Sequence, residues 1–258
     1  MGPLRRQRSR AFRRFSHNRF WWHTLEATDH APTVYAALST REWLALLGWY
    51  RDTHRNGRIG EVNVPAMGLM HGLIVGSGLR RIVQLGHFQG YSALLLGSML
   101  KQMGGRRPGL VSFDIDADST AFAEKWLRRA GVSDRVVLHT GDSAAPDAPE
   151  RARAALGGPP ELVFIDSSHQ YAHTLSELDL WVAELPVGGL VLLHDTSEYA
   201  RSFDATGQGG VARALEEWVP RHPEVTFANL NGFVPEGADV NVLAYKDGCG
   251  LGVLQRVA

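Results

Sequence analysis

The chain has 258 residues, of which 44% are hydrophobic and 21% charged, and its 27 basic residues balance its 27 acidic ones. A neutral chain of this length has room for one substantial α/β domain and offers no overall electrostatic case for binding nucleic acid or a membrane. Cys249 is the only cysteine, which excludes an intrachain disulfide or a cysteine metal cluster, and no apolar run reaches the roughly 18–20 residues that span a bilayer. A soluble, cytoplasmic protein is the expectation.

Charge is uneven only at the start, where Arg5, Arg6, Arg8, Arg10, Arg13, Arg14 and Arg19 stand in an acid-free segment. No apolar stretch follows them, so a cleaved secretory signal is not expected, although the Arg- and Ser-rich composition also resembles an organelle transit peptide. Residues 1–30 read as a basic arm, solvated or in contact with another subunit, with a nucleic-acid arm as the lesser alternative. The bias toward arginine runs through the whole chain, in which Lys101, Lys125 and Lys246 are the only lysines, and reads as coding composition more than chemistry.

Residues 31–78 form a second unit. Apolar residues recur at helical spacing from Thr33 to Arg51 and from Val64 to Val75, which predicts two or three helices before any core strand. From residue 79 to 258 strands and helices alternate. "RRIVQLG" is a strand and "YSALLLGSMLKQM" a helix; "GLVSFDID" and "STAFAEKWLRRAG" repeat the pair, the helix closing at Gly131. "DRVVLHTGD" is a third strand, Ser143 to Pro160 holds a short helix, and "ELVFID" is a fourth strand. The helix "TLSELDLWVAEL" leads to a fifth strand, "GGLVLLHD", and the helix "GVARALEEWVPRHP" to two late β-like runs, "DVNVLAY" and "LGVLQRV". This order predicts a Rossmann-like, doubly wound α/β fold. Its mainly parallel seven-stranded sheet carries helices on both faces, with an N-terminal helical extension.

In such sheets ligands bind beyond the carboxyl ends of the strands, so polar residues there draw attention first. "IVQLGHFQGYS" turns from strand to helix through Gly86 and Gly90, which permit close backbone approach, and Ser92 is placed to help cap the helix. Phe88 occupies the middle glycine of a G-x-G-x-x-G pattern, which disfavours a pyrophosphate and with it a nicotinamide dehydrogenase. A nucleoside without phosphates fits better. Asp114 ends the second strand twenty-eight positions after Gly86, where a ribose would be held, with Asp116 as the alternative. Asp142 ends the third strand, within reach of an adenine amino group. The fourth strand delivers Asp166, Ser167, Ser168 and His169 to the same rim, and a histidine there is able to take a proton near neutrality.

These segments together resemble the class I S-adenosylmethionine-dependent methyltransferases, specifically the small-molecule O-methyltransferases related to catechol O-methyltransferase. "IVQLGHFQGYSALLL", "FDID", "GVSDRVVLHTGDS" and "FIDSSHQY…DL…LPVGGLVLLHDTSE" follow the family's order and spacing from about Glu61 to Glu217, and "GLGVLQR" resembles the last strand of relatives. The resemblance implies S-adenosylmethionine as cofactor. Gly86, Phe88, Gly90 and Ser92 would surround its methionine part, Asp114 its ribose, and Asp142 with Ser143 its adenine. Gln84 stands where relatives carry an acid, so it would meet the cofactor ammonium without a compensating charge.

The resemblance also implies a divalent metal, Mg²⁺ as the candidate, held by Asp166, Asp195 and Thr196, the last in place of the usual asparagine. His169 takes the position of the family's catalytic lysine, making Asp166 and His169 the expected catalytic pair. His194 points away from Asp195 in an extended strand, so joint ligation needs the strand to break there; a packed, hydrogen-bonded histidine is preferred. The implied reaction is transfer of a methyl group to a hydroxyl of a small molecule, with secondary metabolism as the setting the resemblance implies. The N-terminal helices, rich in aromatics such as Trp43 and Trp49, would serve as a lid or as the contact of a homo-oligomer. "FDATGQGG", Phe203 to Gly210, reads as a flexible loop near the substrate. Two other readings stay open: an RNA or protein methyltransferase that uses the Arg-rich arm, and a non-catalytic protein that retains the fold, with Gln84 and Thr196 as signs of decay.

Overall fold

A computed structural model describes residues 32–104, 108–239 and 242–258. The basic arm of residues 1–30 therefore lies outside the described residues. Helical periodicity from Thr33 is interrupted at Leu38, giving α1 (Thr33–Ala36) and α2 (Thr40–Arg55). The break has a local cause. Ser39 starts a capping box: its backbone N–H donates to Glu42 Oε2 (2.7 Å) and its hydroxyl accepts from the Glu42 N–H (3.4 Å). Helix α3 (Val64–Ser77) opens on Pro65 and closes on Gly78 at φ 71°.

The alternating region follows the expected order: β1 (Ile82–Leu85), α4 (Tyr91–Met103), β2 (Leu110–Asp114), α5 (Ala117–Ala130), β3 (Val136–Thr140), α6 (Ala148–Leu156), β4 (Leu162–Ile165), α7 (Tyr171–Val182), β5 (Leu190–His194), α8 (Gly210–Trp218), β6 (Val225–Leu230) and β7 (Leu251–Arg256). The seven strands form one sheet in the order β3-β2-β1-β4-β5-β7-β6, parallel except for β7, which runs against both neighbours. Side chains alternate between two apolar layers. Ile82, Leu110, Leu162 and Phe164 pack with α1 to α5, whereas Val83, Leu85, Phe113 and Ile165 pack with α6, α7 and α8. Both faces are covered, which is why β1 and β4 are buried along their whole length, β4 as an unbroken apolar run and β1 as one interrupted only by Gln84. None of the described helices is long and apolar enough to cross a membrane.

One strand differs from expectation. The sixth strand is Val225–Leu230, and the described part of "DVNVLAY" forms no strand, with Val242 80% exposed. The reason is β6's position at the sheet edge. It pairs only with β7 and exposes four of its six residues, so its sequence lacks the apolar signature of a core strand. The Asn231 side-chain amide donates to the carbonyls of Tyr245 (2.5 Å) and Asp247 (2.7 Å), holding the following segment as a loop beside the sheet.

Candidate active site

β1 lies between β2 and β4, where the chain crosses to opposite sides of the sheet, and a cavity of about 690 Å³ opens beyond the carboxyl ends of these strands. The turn after β1 forms one side. Gly86 has φ 84°, and a Cβ there would lie 2.0 Å from the Asp166 carbonyl oxygen, so the exit of the neighbouring strand itself demands glycine. Gly90 has φ 82°, and its Cβ would lie 2.5 Å from that of Ala123. It lets α4 start hard against α5 and is not in the cavity wall, which corrects its expected contact with a cofactor to a packing role.

Gln84 is also absent from the wall. It is fully buried beneath it, and its amide donates to the Gly86 carbonyl (2.8 Å) and the Ser92 hydroxyl (2.6 Å). Ser92 lines the cavity but makes no helix cap, because its oxygen faces Gln84. Phe88, at φ 41° and 41% exposed, projects into the cavity from the turn. His87 lies buried between Ser112 (3.1 Å) and Thr120 (3.0 Å), and burial pushes it down to about 4, so it is neutral.

Asp114 shapes the same turn. Its Oδ2 accepts from the backbone N–H of His87 (3.0 Å) and of Phe88 (2.6 Å), and its Oδ1 accepts from the Asp116 N–H (3.0 Å). It lines the cavity and keeps further lone pairs for a ligand. Asp116 is the N-cap of α5, accepting from the Asp118 N–H (3.0 Å) and the Ser119 hydroxyl (2.7 Å), so its carboxylate serves the helix. Asp142 is exposed in the wall and accepts from the Ala144 N–H (2.8 Å). Buried Ser143 donates to Glu177 Oε1 (2.5 Å), while Ser167 donates to Glu177 Oε2 (2.8 Å). Glu177, a residue sequence reading passed over inside a helix, thus ties the end of β3 to the loop after β4.

At the far end of the cavity β4 delivers Asp166 and the following loop delivers His169, itself at φ 59°. β5 ends at His194, and Asp195 turns to φ 61°, so the strand breaks where joint use of the two side chains requires it. His169 Nε2 lies 3.1 Å from Asp195 Oδ2 and 3.9 Å from Asp166 Oδ1. His194 Nδ1 lies 3.2 Å from Asp195 Oδ1 and 3.5 Å from Asp166 Oδ1, and its Nε2 lies 3.2 Å from Asp247 Oδ2. His194 is thus the packed, hydrogen-bonded residue, and Asp247, with no motif to mark it, is its missed partner. Burial alone would push His169 down; its bonds to Asp166 and Asp195 carry it up to about 10. Burial likewise opposes ionisation of Asp195, but the His194 charge and bonds from both imidazoles hold its carboxyl below the usual carboxylate range.

Mg²⁺ does not fit this arrangement. Asp166, His169 and Asp195 bring ligand-type atoms within 4.8 Å of one another, but imidazole nitrogens already stand against both carboxylates. Asp195 lies behind His169 and off the cavity wall. Thr196 gives its hydroxyl proton to Asn229 Oδ1 (2.7 Å) instead of joining the carboxylates. An octahedron of hard oxygens is not what these side chains offer.

The loop from Phe203 to Gly210 is ordered by Asp204. This carboxylate accepts from the N–H groups of Thr206 (2.8 Å), Gly210 (3.0 Å) and Tyr171 (3.3 Å), which corrects the expectation of a flexible segment. A Cβ at Gly210 would lie 3.0 Å from the His169 carbonyl oxygen, so the loop braces the histidine.

Residues 83–196 match the family model described as a methyltransferase domain. The fold resembles that of an O-methyltransferase, TomG from Streptomyces achromogenes, solved with SAM, with 23% identity, 83% of this chain and 90% of that one covered, and a TM-score of 0.64. It also resembles the O-methyltransferase from Bacillus cereus in complex with SAH (17% identity, 86% and 99% covered, TM-score 0.65) and the SAH-bound methyltransferase PaMTH1 from Podospora anserina (16%, 83% and 88%, 0.60). At these identities the likeness is one of fold. No curated protein matches the chain by sequence.

Proposed function

We propose that this protein transfers a methyl group from S-adenosylmethionine to a hydroxyl of a small molecule. The observation that carries the reading is the single cavity that runs from the glycine turn to Asp166 and His169. The nucleoside lies at the Asp114 and Asp142 end, where Ile115, 76% exposed, offers an apolar plate for a planar base. The methionine part follows the turn past Phe88 and Ser92, which aims the sulfonium methyl at the His169 end. Trp49, Gly60 and Val62 from the 31–78 unit line the cavity, Trp49 donating to the Gln89 carbonyl (2.8 Å) and Gly60 lying against Phe88, which gives that unit the role of a cavity wall over the glycine turn.

Transfer is a direct displacement: the acceptor oxygen attacks the methyl carbon, the sulfonium bond breaks, and the sulfur leaves as a neutral thioether. The protein's part is alignment and removal of one proton. Neutral His169, keeping its Nε2 proton on Asp195, presents Nδ1 to the acceptor hydroxyl. The imidazolium formed by proton uptake is the species that Asp195 and Asp166 already stabilise. The likeness to an enzyme of tomaymycin synthesis favours an acceptor from secondary metabolism.

The test is methyl transfer from labelled S-adenosylmethionine across a panel of hydroxyl acceptors, with S-adenosylhomocysteine binding followed by calorimetry. His169→Asn should lower transfer by about a hundredfold or more and leave S-adenosylhomocysteine affinity unchanged. Undiminished transfer in that variant removes His169 from the chemistry, and absence of binding by the wild-type protein removes the reading itself.

A further inference from the structure

Glu177, buried on α7, gathers side chains that the transfer step does not use. Its two oxygens accept from the hydroxyls of Ser143 and Ser167, and His173, one helical turn earlier, brings Nε2 to 3.2 Å from its Oε1. The same Nε2 lies 3.2 Å from Ser143 Oγ and 3.9 Å from Asp142 Oδ1. The imidazole is therefore held both from its own helix and from the segment that follows β3, which fixes its orientation.

His173 also lines the cavity, beside Asp142 and Ser143 at the nucleoside end. With Nε2 turned onto Glu177, Nδ1 is the nitrogen the ring has for a ligand. The bond to Glu177 raises His173 above its ordinary value against the effect of burial, and the charges of Glu177 and Asp142 act in the same sense. Both nitrogens of an imidazolium carry protons, so Nδ1 is a donor. Asp142 and His173 thus offer an acceptor and a donor side by side. Adenine carries the complementary set: an amino group that donates, flanked by the ring nitrogens N1 and N7, which accept. We infer that His173 reads the adenine of the cofactor, donating from the nitrogen that Glu177 does not hold to a ring nitrogen beside the amino group taken by Asp142. Glu177 is then the positioning residue behind it. The inference rests on the methyltransferase reading and adds a specificity-determining residue to it.

Calorimetric titration with S-adenosylhomocysteine and its 1-deaza and 7-deaza analogues, in each of which a C–H replaces one of those nitrogens, tests the assignment. The wild-type protein should bind one analogue about tenfold more weakly than the parent, the scale of one charge-assisted hydrogen bond. His173→Ala should bind the parent about tenfold more weakly and no longer distinguish it from that analogue. A wild-type protein that binds both analogues as tightly as the parent overturns the assignment without need of any variant. A His173→Ala variant that still rejects the same analogue, or binds the parent undiminished, overturns it as well, and each of these results leaves the proposed function standing. A wild-type protein that binds none of the three ligands removes the proposed function and this inference with it.

Discussion

His194 Nε2 lies 3.2 Å from Asp247 Oδ2, and both side chains are buried. Asp247 also accepts from the Asn63 side-chain amide (2.7 Å) and from the Cys249 N–H (3.0 Å), so one carboxylate joins the entry to α3, the loop before β7 and the end of β5. It leaves His194 Nδ1 facing Asp166 and Asp195. Removing one partner from a buried ionic group leaves the other uncompensated, at a cost of about 3 kcal/mol. Asp247→Asn should lower stability to urea by that amount and reduce methyl transfer, since the two carboxylates lose a fixed neighbour. Denaturant titration of the variant beside the wild type checks the first part.

Gly86 is bound by two constraints at once, a positive φ and a carbonyl oxygen 2.0 Å from where a Cβ would stand. That oxygen is backbone, and it cannot move without pulling β4 from β1. Gly86→Ala should destabilise by more than about 2 kcal/mol. Gly188→Ala is the control, with φ 87° but nothing within 4 Å of its Cβ, and should cost less. Thermal melts of the pair test whether the contact or the dihedral dominates.

The histidine at the acceptor end sets a pH dependence. His169 has an unfolded value near 6.5 and is carried up to about 10 when folded. A raised folded value means that the charged form stabilises the protein, fully below about 6.5 and progressively less as pH rises through about 10. Melting temperature should therefore fall between pH 7 and 10 more steeply in the wild type than in His169→Gln.

The same protonation acts on rate in the opposite sense. A base must be neutral, and the neutral fraction of His169 grows ~tenfold per pH unit below its pKa. Methyl transfer should rise with pH toward 10. A rate that is flat from pH 7 upward would show that another group accepts the proton.

Imidazole nitrogens stand where a cation would meet Asp166 and Asp195. Neither Mg²⁺ nor EDTA should then change the melting temperature or S-adenosylhomocysteine affinity. A rise in melting temperature with Mg²⁺ would show that the ion displaces the histidines.

Sequence and structure divided the work unevenly. The core strands were legible because burial on both faces leaves apolar runs that only a covered parallel sheet explains, and Asp114 and Asp166 were legible because they end such runs. β6 was not, because an edge strand needs no apolar face, and neither were Asp247 and Glu177, because a carboxylate in a loop or helix carries no local sign of what it meets across the fold.

By itself the sequence determined the order of elements, the rim on which polar residues gather and the class of cofactor chemistry that rim resembles. The tertiary structure decided what those residues do with one another. It placed Gln84 below the wall, gave Gly90 to helix packing, spent Asp116 on a helix cap and set two histidines between Asp166 and Asp195. Periodicity and spacing are properties of one segment, whereas hydrogen bonds and charge compensation depend on distances between segments, which only the closed fold sets.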